Sequence, residues 1–129
     1  MESFVIDTHA LAWYFTSDSR LSSKVEKIIL DTEAGINQMI IPIIVLAELL
    51  HISDRKRIEI NFDYIVKELQ NHPNFLIVSL DINIFENMLD LQSFEIHDRV
   101  IAATARYFGY PLLTKDSELR SSKLIETIW

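Results

Sequence analysis

Four carboxylates stand where chemistry is possible. Asp7 ends the apolar run Ser3–Asp7, Glu48 sits inside VLAELL (Val45–Leu50), Asp98 opens a helix-like stretch, and Asp116 follows Pro111–Thr114. Asp7 and Asp116 could serve as helix N-caps, and Asp98 suits the positive end of a helix dipole. Glu48 is harder to place. Its neighbours at i−4, i−3, i+1 and i+2 are apolar, and no Lys or Arg lies within one helical turn. An ionised Glu left unpaired in such surroundings is costly, so its partner is a distant residue of the fold or a cation. Four acids converging on one crevice repel one another, and a hard divalent cation relieves the repulsion. Oxygen ligands without cysteine favour magnesium or manganese over zinc. Such ions activate water and steady developing charge in phosphoryl transfer.

The elements that must position these acids read as strands alternating with helices. Strand Ser3–Asp7 leads into helix Thr8–Phe15, and Ser22 or Ser23 caps a helix over Lys24–Ala34 that Gly35 ends. Gln38–Ile41 reads as a buried strand, with Pro42 at the first position of a helix from Ile43 to about Ile52. That helix is apolar nearly all round apart from Glu48 and His51, which predicts burial on most sides. A polar connection, Ser53–Glu59, precedes helix Phe62–Gln70, which His72-Pro73-Asn74 breaks. Strand Phe75–Leu80, helix Ile82–Leu91 capped by Asp81, and helix Asp98–Phe108 stopped at Gly109 follow. Strand Pro111–Thr114, turn Ser117–Ser121 and strand Ile125–Trp129 complete the chain. Short apolar strands separated by helices predict an α/β fold, with a short, mainly parallel sheet of four to five strands covered on both faces. Ligands in such sheets bind beyond the carboxyl ends of the strands, where Asp7 and Asp116 fall.

Composition narrows the classes. At 129 residues the chain is one domain's worth, 1–129, and its 49% apolar and 24% charged residues are ordinary for a folded protein. The absence of Cys excludes a disulfide scaffold and a thiolate nucleophile. No apolar run reaches the ~18 residues of a membrane span, and no basic leader precedes a long apolar stretch, so the expected location is the cytoplasm. The net charge of −7 is awkward for a nucleic-acid partner.

The segments VIDTHALAW (Val5–Trp13), VLAELL (Val45–Leu50), IHDRVIAATA (Ile96–Ala105) and LLTKD (Leu112–Asp116), in that order, resemble the PIN-domain nucleases. The HDRVIAATA form is similar to the VapC-type toxins of prokaryotic toxin–antitoxin pairs. The resemblance spans essentially the whole chain. It implies a PIN-like three-layer fold and a Mg²⁺- or Mn²⁺-dependent endoribonuclease with Asp7, Glu48, Asp98 and Asp116 as catalytic and metal-holding residues. It implies auxiliary roles for Thr114, Thr8 and Arg99, the last touching RNA phosphate or pairing with a carboxylate. The implied reaction is hydrolysis of RNA phosphodiesters by a metal-activated water, giving 5′-phosphate and 3′-hydroxyl ends. A cognate antitoxin is the implied partner, with helices Ile43–Ile52 and Phe62–Gln70 as walls of its groove. The high apolar share further suggests a homodimer.

Lys115 and Arg99 are candidates for RNA contact, as is the basic cluster Arg55-Lys56-Arg57, whose alternative is a solvated loop. His51 is expected to partner Glu48 or to lie on the surface. A rival reading is a phospho-receiver domain with Asp81 as phosphoacceptor and Thr114 and Lys115 as switch residues. It expects a paired acidic dipeptide after the first strand, where this chain has only Asp7, and it leaves Glu48 unexplained. Neither reading calls for a nucleotide cofactor.

Overall fold

Five short apolar runs lie side by side in one wholly parallel sheet: β1 (Ser3–Ile6), β2 (Gln38–Pro42), β3 (Phe75–Val78), β4 (Leu112–Leu113) and β5 (Thr127–Ile128), in the order β3-β2-β1-β4-β5. The structure is a computed structural model and describes residues 1–55 and 59–129. Phe4 pairs with Met39 and Val5 with both Ile40 and Leu112, so β1 is central, and Val5 and Ile6 are fully buried. Burial on both faces explains why these strands read as unbroken apolar runs. Among the described residues seven helices flank the sheet: α1 (Thr8–Phe15), α2 (Ser23–Glu33), α3 (Ile43–Asp54), α4 (Phe62–Asn71), α5 (Ile82–Glu86), α6 (Ile96–Phe108) and α7 (Ser117–Ser121). The chain builds outward from β1 through β2 to β3, then returns to β1's other side for β4 and β5. That reversal leaves a crevice beyond the carboxyl ends of β1 and β4.

Local chemistry sets the helix ends. Ser22 accepts from the Val25 N–H to start α2, and Gly35 (φ 78°) and Gly109 (φ 71°) take the left-handed backbone that follows α2 and α6. Several boundaries differ from the sequence reading. Pro42 pairs with Val78 as the last residue of β2, and its ψ of 136° delays helical backbone by one residue, so it caps α3 rather than opening it. β3 stops at Val78 because β2 offers no partner beyond Pro42. α6 starts at Ile96, since the Glu95 side chain accepts from the Asp98 N–H at 2.8 Å. α5 is shorter than expected: beyond Glu86 the chain closes tighter turns, with Met88 donating to the Phe85 carbonyl and Leu91 to that of Met88.

The largest departure is α3. It runs on through Asp54 into the expected polar connection, and only Val45 and Leu49 along it are buried. Ile43 and Leu50 are 44% and 48% exposed. One strip of the helix packs against α1, α6 and β2, with Ile44 and Leu46 half-buried beside it, while Ile43 and Leu50 face outward.

Candidate active site

The acids reach the crevice from four elements. Asp7 follows β1 and caps α1, its Oδ1 accepting from the Ala10 N–H at 2.9 Å. Asp116 follows β4 and caps α7, its Oδ1 accepting from the Leu119 N–H at 3.0 Å. The capping role open to both in the sequence is therefore real, and in each case it occupies Oδ1. Asp98 projects from the first turn of α6 and Glu48 from mid-α3.

Two buried hydroxyls tie the acids together. Thr8 donates from Oγ1 to Glu48 Oε1 at 2.5 Å. Thr114, fully buried, accepts from the Asp116 N–H at 3.1 Å and hydrogen-bonds the Asp7 carboxyl. Thr114 thus meets both strand-end acids. Glu48 is 25% exposed rather than deeply buried, and its distant partners are Thr8 and His97, whose Nδ1 lies 3.5 Å from Oε2. His97 also stands 3.2 Å from Glu95.

Electrostatics register this crowding. Burial pushes the Asp98 carboxyl up to about 7, with Asp116, Glu95, Glu48 and Asp7 adding repulsion in that order. Burial also raises Asp7, against the pull of Thr114 and the Ala10 N–H. Burial acts upward on Glu95 as well, but the Asp98 and His97 N–H groups bring it net below its ordinary value.

The donor chemistry suits a hard divalent cation, because four carboxylates that destabilise one another gain from a shared positive charge. The side chains are held apart in caps and hydrogen bonds. Among the described residues no group of three His, Cys, Asp or Glu stands closed around one point. Two open clefts flank the acids. One, of about 340 Å³, is lined by Glu48, His51, Ile52 and His97. The other, of about 360 Å³, is lined by Asp7, His9, Trp13, Arg20, Lys115 and Asp116.

The profile of the PIN domain family matches residues 4–123. The chain belongs to the PIN domain family. No curated protein matches. Three solved structures of similar fold are the VapBC complex of Salmonella typhimurium bound to DNA (18% identity, 99% of this chain and 98% of that one, TM-score 0.68), VapBC2 of Rickettsia felis bound to a promoter DNA fragment (16%, 98% and 97%, 0.67) and FitAcB of Neisseria gonorrhoeae (17%, 98% and 96%, 0.67).

Within this PIN fold the other expected residues fall out differently. Among the described residues Arg99 pairs with no carboxylate, and it lines neither of these two clefts. Its Nε donates to the Met88 carbonyl at 2.9 Å and its Nη2 to that of Leu89 at 3.4 Å, tying α6 to the turns after α5. Lys115 lines the second cleft. Arg55 is exposed and donates to His51 at 3.1 Å, so His51 is not the partner of Glu48. Lys56 and Arg57 lie outside the described residues. Asp81 sits beyond edge strand β3, apart from both clefts, and caps α5, which removes the basis for a receiver site there. A groove of about 470 Å³ with a mixed apolar and acidic lining lies between α1, α2 and α4, while α3 lines the cleft that holds Glu48. Glu95 and the Trp13–Arg20 wall escaped the sequence reading.

Proposed function

We propose that this PIN chain, over 1–129, is a Mg²⁺- or Mn²⁺-dependent endoribonuclease and the VapC-type toxin of a toxin–antitoxin pair. The observation that supports the reading is the Asp98 carboxyl, pushed up to about 7 by burial and by the charges of Asp116, Glu95, Glu48 and Asp7, as acids facing one crevice would do. The side chains of Asp7, Glu48, Asp98 and Asp116 would hold the cation, Asp7 and Asp116 through the oxygens their caps leave over. The chemistry supplied by Mg²⁺ or Mn²⁺ bound there is Lewis acidity toward water and phosphate oxygens. Hydrolysis joins a water oxygen to phosphorus and breaks the P–O3′ bond, leaving 5′-phosphate and 3′-hydroxyl ends. Thr114 keeps Asp7 and Asp116 in a fixed relation, and Thr8 with His97 does the same for Glu48. Asp98 is the acid whose carboxyl exchanges a proton near neutrality. An RNA substrate sets the protein in the cytoplasm, consistent with no helix among the described residues being long and apolar enough to cross a membrane.

The antitoxin reading draws support from the named complexes among the similar folds and from the α1/α2/α4 groove, where Tyr14, Phe15, Leu30 and Tyr64 meet Glu26, Glu33 and Glu68. Such a lining suits an amphipathic segment with basic residues. Exposed apolar side chains on α3, α5 and the start of α6 (Leu50, Ile82, Phe85 and Ile96) support a homodimer. The test is RNA cleavage by purified protein with and without Mg²⁺. Loss of cleavage in Asp98→Asn supports the assignment, and cleavage at the unaltered rate sinks it. Copurification as a lone monomer, unchanged by the product of the adjoining gene, sinks the partner reading.

A further inference from the structure

The cleft beside Asp7 and Asp116 has one wall that the proposed hydrolysis does not use. Trp13 projects from α1 into it, and two cations from distant parts of the chain meet its ring. The Arg20 guanidinium carbon lies 4.8 Å from the ring centroid and Lys115 Nζ lies 5.8 Å from it. His9 packs at 5.7 Å and Trp129 meets Trp13 edge-on at 5.8 Å. Arg20 is also held from its other side: Asp18 accepts from its Nε at 3.0 Å and its Nη2 at 2.8 Å. This grip leaves the Nη1 edge without a hydrogen bond among the described residues. Lys115 forms no ion pair there either, so it brings an unneutralised charge to the wall. In a chain of net charge −7, Lys115 and the Arg20 guanidinium held by Asp18 both line the cleft that contains Asp7 and Asp116.

Aromatic surface interleaved with cations is the chemistry of single-stranded nucleic acid: rings take bases by stacking, and cations take the backbone. We infer that this wall is a nucleotide subsite of the proposed ribonuclease, in which Arg20 and Lys115 contact a phosphate next to the scissile one and His9 and Trp13 take a base. The inference rests on the ribonuclease reading and adds to it the residues that hold the nucleotide beside the scissile one. Trp13 acts partly through Arg20, which it positions. The cleft of about 360 Å³ is open to solvent, and both of the chain's tryptophans border the subsite, so binding there has an optical signature.

The test uses Asp98→Asn protein, Mg²⁺ and fluorescein-labelled RNA oligonucleotides of random sequence, single-stranded or in a duplex. Binding is read by anisotropy and by tryptophan emission. Single strands are expected to bind more tightly than duplex and to quench the emission. Arg20→Ala with Lys115→Ala is expected to weaken binding about tenfold and to lower the slope of log affinity against log salt by roughly 1.4, as the loss of two phosphate contacts on a single strand requires. Trp13→Phe should keep affinity within about twofold, and Trp13→Ala should lose about fivefold. Both cations are exposed, so their removal spares the core. Unchanged affinity and salt slope in the double variant overturn the subsite. If unaltered protein still cleaves RNA through Asp98 while the double variant keeps the same KM, the subsite alone falls. If unaltered protein cleaves no RNA, the ribonuclease reading falls and takes the subsite with it.

Discussion

Acidic residues live under two regimes in this molecule. On the outer surface, acids that meet a cation are held ionised. The Arg20 side chain brings Asp18 down to about 2, and Arg106 at 2.6 Å lowers Asp90. In the crevice the direction reverses: burial and neighbouring acids push Asp98 up to about 7, and burial raises Asp7. No Lys or Arg forms an ion pair with Asp7, Glu48, Asp98 or Asp116 among the described residues; the one basic neighbour within ion-pair distance is His97, beside Glu48. The chain thus has cations to pair with acids, and even Arg20 and Lys115, which border the cleft of Asp7 and Asp116, form no ion pair with them among the described residues. Crowded carboxylates oppose folding, so their persistence at a sheet's switch point points to work done there.

The most forceful way to break this contrast is to neutralise one acid from each region. Asp7→Asn or Asp98→Asn is expected to lower Mg²⁺-dependent RNA cleavage about a thousandfold or more, whereas Asp31→Asn leaves the initial rate unchanged. Equal rates in all three would erase the distinction. Metal affinity sharpens it next. A carboxyl titrating at about 7 must give up its proton to bind a cation, so Mn²⁺ affinity measured by calorimetry should fall about tenfold from pH 8 to pH 6. The fall should flatten in Asp98→Asn, and a flat profile in the unaltered protein would count against the crowding.

Stability gives a smaller effect of opposite sense. The folded value for Asp98 lies above its ordinary 3.8, so its contribution is full below about 3.8 and is lost as pH rises through about 7. Asp98→Asn never ionises and escapes that loss. Metal-free Asp98→Asn is therefore expected to melt a few degrees above the unaltered protein at pH 8 and together with it at pH 4, by thermal denaturation. A variant that melts lower at pH 8 would show that Asp98 stabilises the fold and belongs to the outer regime.

How much of this was legible depended on the range of the interaction. Asp7 and Asp116 announce themselves because an acid after an apolar run marks both a cap and the end of a strand, and alternation implied the parallel sheet. Glu48 was legible as an acid lacking a cation within its own turn. Its partners were not, since Thr8 and His97 come from other elements. Arg99 misled for the same reason: next to Asp98 in sequence, it turns to carbonyls of the preceding turns. The Trp13 wall joins α1, the segment after it and the end of β4, a meeting that only the sheet order creates. α3 was read as buried because composition records how apolar a helix is, and not whether that surface meets its own core or faces outward.

The mildest test lies wholly in the outer region. Lys27 and Asp31 are an i,i+4 pair on α2, and the Lys27 side chain is 75% exposed. Water screens such a pair, and the basic residue stands on the N-terminal side, the weaker orientation against the helix dipole. Lys27→Ala should therefore cost no more than about 0.5 kcal/mol in urea denaturation at low salt. In 0.5 M NaCl the difference should vanish, because the Debye length then falls to roughly 4 Å, about the separation of the charges. RNA cleavage and Mn²⁺ affinity should not move. A change in either would mean that the outer pairs feed the field of the crevice, and that the two regimes of acids are one connected network rather than a stabilising surface and an unneutralised site.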